Sequence, residues 1–169
     1  MQANKHTLVS GWVFWYSDKT RPTDNLQAAI RYEENLKPLA LCRSVEEFFS
    51  AYCYLKRASG LKAECNLHFF REGTTPMWEY FPNGGCWILK LNRRLGLANI
   101  DKYWESILFA CVGEELGDKA VGAVISMRRG EALLQVWLSN VSEKDVVSGK
   151  IRSLLGLRRE FPFYFKEHK

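Results

Sequence analysis

The sequence predicts an α+β domain: an antiparallel sheet with helices packed over one face and the other face left open. Three observations predict it. Runs rich in aromatic and β-branched residues recur along the chain. Three apolar stripes at helical spacing interrupt those runs. A hairpin signature, VGAVISMRRGEALLQVW, makes at least one strand pair antiparallel. With 169 residues, 47% of them apolar and 25% charged, the chain is globular and holds one core, read as a single domain over 1–169 with about residues 1–6 as a flexible tail.

The elements follow in order. Thr7 to Tyr16 reads as a strand, and the weakly patterned stretch from Ser17 to about Lys37 reads as a long loop with turn chemistry at Thr20–Asn25. Val45, Phe48, Phe49, Tyr52 and Leu55 form the apolar stripe of a first helix, with Ser44 as N-cap and Glu47 completing a capping box. Strands are expected at Leu67–Arg71 and Cys86–Leu91. A second helix runs from about Ile100 to Val112 on Tyr103, Trp104, Ile107, Leu108 and Cys111, with Gly113 at its end. Val121–Arg128 and Leu133–Leu138 form the hairpin, turning at Arg129, Gly130 and Glu131. A third helix begins after Ser142, buries Val147, Ile151, Leu154 and Leu155, and stops before Gly156; Phe161–Phe165 is the last strand.

Composition narrows the function. Twenty-four basic residues against nineteen acidic give a net charge of +5, which permits a nucleic-acid partner without requiring one. Cys42, Cys53, Cys65, Cys86 and Cys111 are scattered, with no CxxC and no Cys/His cluster, so neither a metal site nor a disulfide framework is expected. No apolar run is long enough to span a membrane, and the N-terminus lacks a signal-peptide profile, so a protein of the cytoplasm or nucleus is expected. His6, His68 and His168 lie far apart and no nucleophile or phosphate-loop motif accompanies them, which argues against an enzyme. The aromatic content of 14%, with six Trp, raises the question of what the rings stack on. Trp12, Trp15, Trp87 and Trp104 fall on strand or helix patterns and are assigned to the core. Trp78 does not: Pro76, Asn83, Gly84 and Gly85 surround it with turn chemistry, where a large ring is exposed and merits a binding role.

Three segments carry more specific information: GWVFWYS at 11–17, GTTPMWEYFPNGGCW at 73–87 and MRRGEALLQVW at 127–137. PMWE followed by GG-x-W is a rare constellation, and together these segments resemble the translation initiation factor 4E family of messenger-RNA cap-binding proteins over nearly the whole chain. FWYS and YEENLK bring the resemblance closest to the second class, the 4E-homologous or novel cap-binding type. The resemblance implies a curved antiparallel sheet with about three helices on its convex back, a cap site on the concave face, no cofactor, no metal and a monomer. It implies that Tyr32, thirteen residues before Val45, and Trp78 are the stacking plates for 7-methylguanine, that Glu79 reads the guanine edge, and that Trp137 touches the methyl group. The chemistry suits those residue types: methylation makes the base cationic and strengthens its attraction to aromatic faces, and one carboxylate accepts both edge N–H groups.

Arg128 matches the family's phosphate-binding arginine, whereas its further cations are replaced by Leu133 and Cys86. Arg129 and Lys166, with Arg158 and Arg159, are candidates to substitute. The family also binds Tyr-x-x-x-x-Leu-apolar peptides of a scaffold factor or repressor on its helical back. His6, Val45, Phe49 and Gly113 match that surface, although the helical stripe alone places Phe49 in the core. A module that binds such peptides with weak or lost cap binding is the alternative reading.

Overall fold

The structure is a computed structural model that describes residues 4–18 and 32–169. Seven strands form one antiparallel sheet: β1 (Thr7–Asp18), β2 (Lys37–Ser44), β3 (Cys65–Arg71), β4 (Gly85–Asn92), β5 (Ala120–Arg128), β6 (Glu131–Leu138) and β7 (Phe163–Glu167), in the spatial order β2-β1-β3-β5-β6-β4-β7. Three helices, α1 (Val45–Tyr54), α2 (Ile100–Val112) and α3 (Lys144–Leu155), cover one face of this curved sheet. The α+β architecture expected from the sequence is the one observed. Among the described residues no helix is long and apolar enough to cross a membrane.

Alternation along the strands divides the side chains between two cores. Trp12 and Phe14 of β1, Leu67 and Phe69 of β3, Ile125 of β5 and Leu134 and Val136 of β6 point to the helices and meet Phe48, Trp104, Ile107, Leu108, Val147 and Ile151. Ile107 and Leu108 are fully buried, and each such side chain contributes roughly 1.5–3 kcal/mol over leaving it exposed. On the opposite, concave face Phe70, Phe81, Cys86, Ile88, Val124 and Trp137 form a smaller cluster.

The second and third helices begin and end where their patterns place them, with Gly156 in a left-handed conformation closing α3. At α1 the Ser44 hydroxyl accepts from the Glu47 N–H as a capping box requires, but the Glu47 carboxylate accepts from the Arg43 N–H and from Lys5 Nζ. Lys5 and His6, at the end of the stretch read as a tail, therefore pair with α1 through Glu47 and Glu46.

Four readings are corrected. The strand β2 was absent from the expected elements because Pro38 and Lys37 interrupt any β signature; it forms because it is an edge strand, where a missing N–H is tolerated. Much of the loop read between Ser17 and Lys37, including Thr20–Asn25, lies outside the described residues; of the remainder, Ser17 and Asp18 extend β1 and residues 32–35 are helical. Trp15 does not join the helix-facing core, since it sits directly across from His68 on the concave side. Phe49 is 44% exposed while its neighbour Phe48 is buried, so α1 presents a second apolar face.

Beside Trp15, a buried polar group stabilises the β1–β3 pair. His68 Nε2 and the fully buried Ser17 hydroxyl are 2.8 Å apart, and Asn66 Nδ2 donates to the same hydroxyl at 3.0 Å. Burial pushes the His68 imidazole down to about 3, far below its ordinary 6.5. Below about pH 6.5 the unfolded chain takes up a proton that folded His68 refuses, so this residue makes the fold lose stability as pH falls from 6.5 toward 3, by up to about 1.4 kcal/mol per pH unit. Urea midpoints measured at pH 7 and pH 5 are expected to fall less in His68→Gln than in the parent. Equal falls would refute the assignment.

Candidate functional site

The loop from Glu72 to Gly84 carries Trp78, and its two ends are tied down. At the start, Arg71 donates to the Ala120 carbonyl at 2.9 Å and the Ser10 hydroxyl at 2.8 Å, and both of its terminal nitrogens reach the Glu114 carboxylate, at 2.9 and 2.6 Å. At the far end Gly84 lies against β6, where any Cβ would fall on the Leu138 carbonyl. The Gly84 carbonyl accepts from the His168 N–H at 3.0 Å. Between these anchors residues Trp78–Tyr80 form a single 3-10 turn, which projects the Trp78 indole outward at 47% exposure.

Tyr32, Met77, Trp78, Glu79 and Trp137 line a cavity of about 440 Å³. Four of the residues expected from the sequence, two rings on separate segments, one acid and a third aromatic, are therefore brought together. The Tyr32 hydroxyl donates to the Pro76 carbonyl at 3.3 Å, joining its segment to the Trp78 loop. Burial first, and the Glu79 carboxylate second, push the Tyr32 phenol up to about 12, so it stays a neutral ring. Glu79 is solvent-facing, and among the described residues nothing donates a hydrogen bond or an ion pair to its carboxylate.

Trp137 forms the floor, 9% exposed. Its indole Nε1 donates to Gln135 Oε1 at 2.9 Å, and the rings of Phe70 and Phe81 meet it edge-on at 5.4 and 6.4 Å. Gly122, its partner on β5, leaves space that the Phe70 ring fills. His168 lies 4.7 Å from the Trp137 ring and its Nδ1 donates to the Phe81 carbonyl at 3.1 Å. Desolvation lowers the His168 pKa, which keeps the ring neutral. Met77, Gln135 and His168 were not singled out as site residues: Met77 and Gln135 act beside Trp78 and Trp137 on their own segments, and His168 reaches Phe81 from a distant part of the chain.

The basic candidates spread along the sheet. Cross-strand register sets Lys166 of β7 opposite Cys86 of β4, and Cys86 opposite Trp137. Burial raises the Cys86 thiol to about 11, against the opposing pull of Lys166, so the position carries no charge at neutral pH. Arg128 ends β5 on the concave side, opposite Glu131 of β6, and Arg129 occupies the two-residue hairpin turn with Gly130, leaving Glu131 as the first residue of β6. Arg158 lines a different cavity, with Leu95, Tyr103 and Phe161, and Arg159 follows it in the same connection before β7; neither reaches the Trp78 pocket.

On the helical back the Val45 N–H donates to the His6 carbonyl at 2.9 Å, and His6 Nδ1 lies 2.6 Å from Glu46. Val45 and Phe49 are exposed on α1, Phe49 meets the equally exposed Phe109 of α2 at 5.8 Å, and Gly113 caps α2 one turn further on. Phe109 is an addition that the sequence did not single out.

Known proteins share this architecture. The profile of the family described as eukaryotic initiation factor 4E matches residues 7–169. The translation initiation factor NCBP of Arabidopsis thaliana is 34% identical over 170 residues, covering 96% of this chain and 73% of its own length. Initiation factor 4E-4 of Caenorhabditis elegans is 31% identical, covering 98% and 78%. Among solved structures, eIF4E-3 of Ascaris suum in complex with an m2,2,7G cap superposes with a TM-score of 0.85 at 28% identity, over 98% of this chain and 93% of that one. The complex of C. elegans eIF4E-3 with the 4E-binding protein Mextli gives 0.85 at 27% identity, over 98% and 95%. A profile match that spans β1 through the end of β7, on the fold described above, shows that the chain belongs to the eukaryotic initiation factor 4E family.

Proposed function

We propose that this protein is a non-catalytic binder of the 7-methylguanosine cap of messenger RNA, acting in translation initiation or its repression. The observation that carries the reading is the slot itself. Tyr32 and Trp78 face one cavity from separate segments, and Glu79, without a partner among the described residues, stands beside them over the Trp137 floor. A methylated guanine suits that set: its cationic ring gains from stacking between two aromatic faces, its edge N–H groups find one free carboxylate, and its methyl group finds an apolar indole. The Ascaris eIF4E-3 complexes with m7G and m2,2,7G caps support the same assignment by likeness.

A second surface accompanies the first. Val45, Phe49 and Phe109 make an exposed apolar patch between α1 and α2, bordered by His6 and Gly113. It suits the apolar side chains of a Tyr-x-x-x-x-Leu-apolar peptide, and the C. elegans eIF4E-3 complex with Mextli supports a protein partner. Weak cap binding with peptide binding retained is the alternative that the patch keeps open.

Trp78→Ala is expected to reduce affinity for m7GTP about 5- to 150-fold, the worth of one aromatic stack, by isothermal calorimetry. The ring is half exposed, so the fold should survive, and unchanged affinity would remove Trp78 from the site. Glu79→Gln is expected to cut the preference for m7GTP over GTP by about tenfold or more, as the loss of a charged hydrogen-bond acceptor implies; equal losses for both nucleotides would contradict an edge-reading role. Phe49→Ala is expected to weaken a Tyr-x-x-x-x-Leu-apolar peptide while sparing m7GTP, and a peptide titration indifferent to the change would dispose of the patch.

A further inference from the structure

The concave face is laid out in rows by strand register. One row runs Phe70, Gly122, Trp137, Cys86, Lys166, and the row two residues further along runs His68, Val124, Gln135, Ile88, Tyr164. The next runs Asn66, Ser126, Leu133, Lys90. Lys90 of β4 is thus the direct cross-strand partner of Leu133, one of the two positions where the resemblance expects a cation and the chain has none. The other such position, Cys86, faces Lys166 in the same way. Each missing charge has a lysine on the adjacent strand, on the same face of the sheet.

Lys90 is not free. Its Nζ lies 3.0 Å from the Glu131 carboxylate, and Glu131 in turn is the cross-strand partner of Arg128. One acid therefore stands between the two cations at the open end of the face. The Lys90 side chain is 56% exposed and that of Glu131 30%, so the pair is a solvent-screened one that an incoming anion can exchange at little cost. From Trp137 to Leu133 the strand advances about 13 Å, a span that a ribose and its phosphates cover when the base sits on Trp137.

We propose that the Lys90–Glu131 ion pair is an exchangeable phosphate latch: Lys90 supplies from β4 the cation absent at position 133, and the Glu131 carboxylate holds the place of a phosphate until the cap's polyphosphate displaces it. This inference rests on the cap-binding reading above. Glu131 then acts as an internal competitor, because after exchange it remains beside the bound phosphate and repels it. The pair sets how much the phosphate chain adds to affinity, separately from the base.

The test compares m7GMP with m7GTP on the intact protein by calorimetry. Lys90→Gln is expected to lower the ratio of m7GTP to m7GMP affinity about two- to fivefold, and to flatten the dependence of m7GTP affinity on salt. Glu131→Gln is expected to raise that ratio by a similar factor, and to raise it by less when Lys90 is already Gln, because only the repulsion then remains to be relieved. A ratio unmoved by Lys90→Gln, or lowered by Glu131→Gln, overturns the latch while base binding stands. Parent protein that binds neither nucleotide overturns the cap reading and the latch with it.

Discussion

The period-two alternation of an antiparallel sheet is the constraint on which the rest depends. It sends Trp12, Phe14, Phe69, Leu134 and Val136 to one side, where three helices seal them in, and leaves Phe70, Val124, Ile88 and Trp137 on the other, away from α1, α2 and α3. The second face is then covered by the segments between strands, and two of them bring Tyr32 and Trp78 to it. The pocket is a by-product of a sheet whose apolar content exceeds what one helical layer can cover. A one-residue slip of β6 would send Trp137 into the helices and take the floor away.

Charge is segregated across that face. Among the described residues Glu79 is the single carboxylate lining the pocket, with Tyr32 held neutral beside it and His168 held neutral behind Trp137. The cation Lys166 lies in the same cross-strand row as Trp137, and Lys90 and Arg128 lie in rows further toward the open end of the face. The proposed ligand has the complementary polarity, a cationic purine at one end and an anionic polyphosphate at the other. A net charge of +5 does not convey this, because what matters is the order of charges along the face and not their sum.

Features set by local chemistry were legible in the sequence. Helices α2 and α3 declare themselves through a 3.6-residue period and a closing glycine, and Trp78 through the turn residues around it. Features set by pairing were not. Whether Trp15 joins Trp12 or His68 depends on face, β2 depends on being an edge, and Phe49 depends on how α1 is rotated against the sheet. Tyr32 came from family resemblance alone, since nothing within its own segment distinguishes it from a packing tyrosine. Lys90 and His168 needed the pairing of segments far apart in the chain, which no local pattern encodes.

The unequal exposure of the six indoles has an optical consequence. Trp12, Trp104 and Trp137 are buried, whereas Trp78 is 47% open to solvent and is the most exposed of the six. Greater contact with water shifts indole emission to longer wavelength, so a flat cationic guest laid on that ring would quench the red side of the protein's intrinsic fluorescence first. The molecule therefore carries an unlabelled reporter of its own occupancy, placed at the mouth of the slot by the same 3-10 turn that builds it.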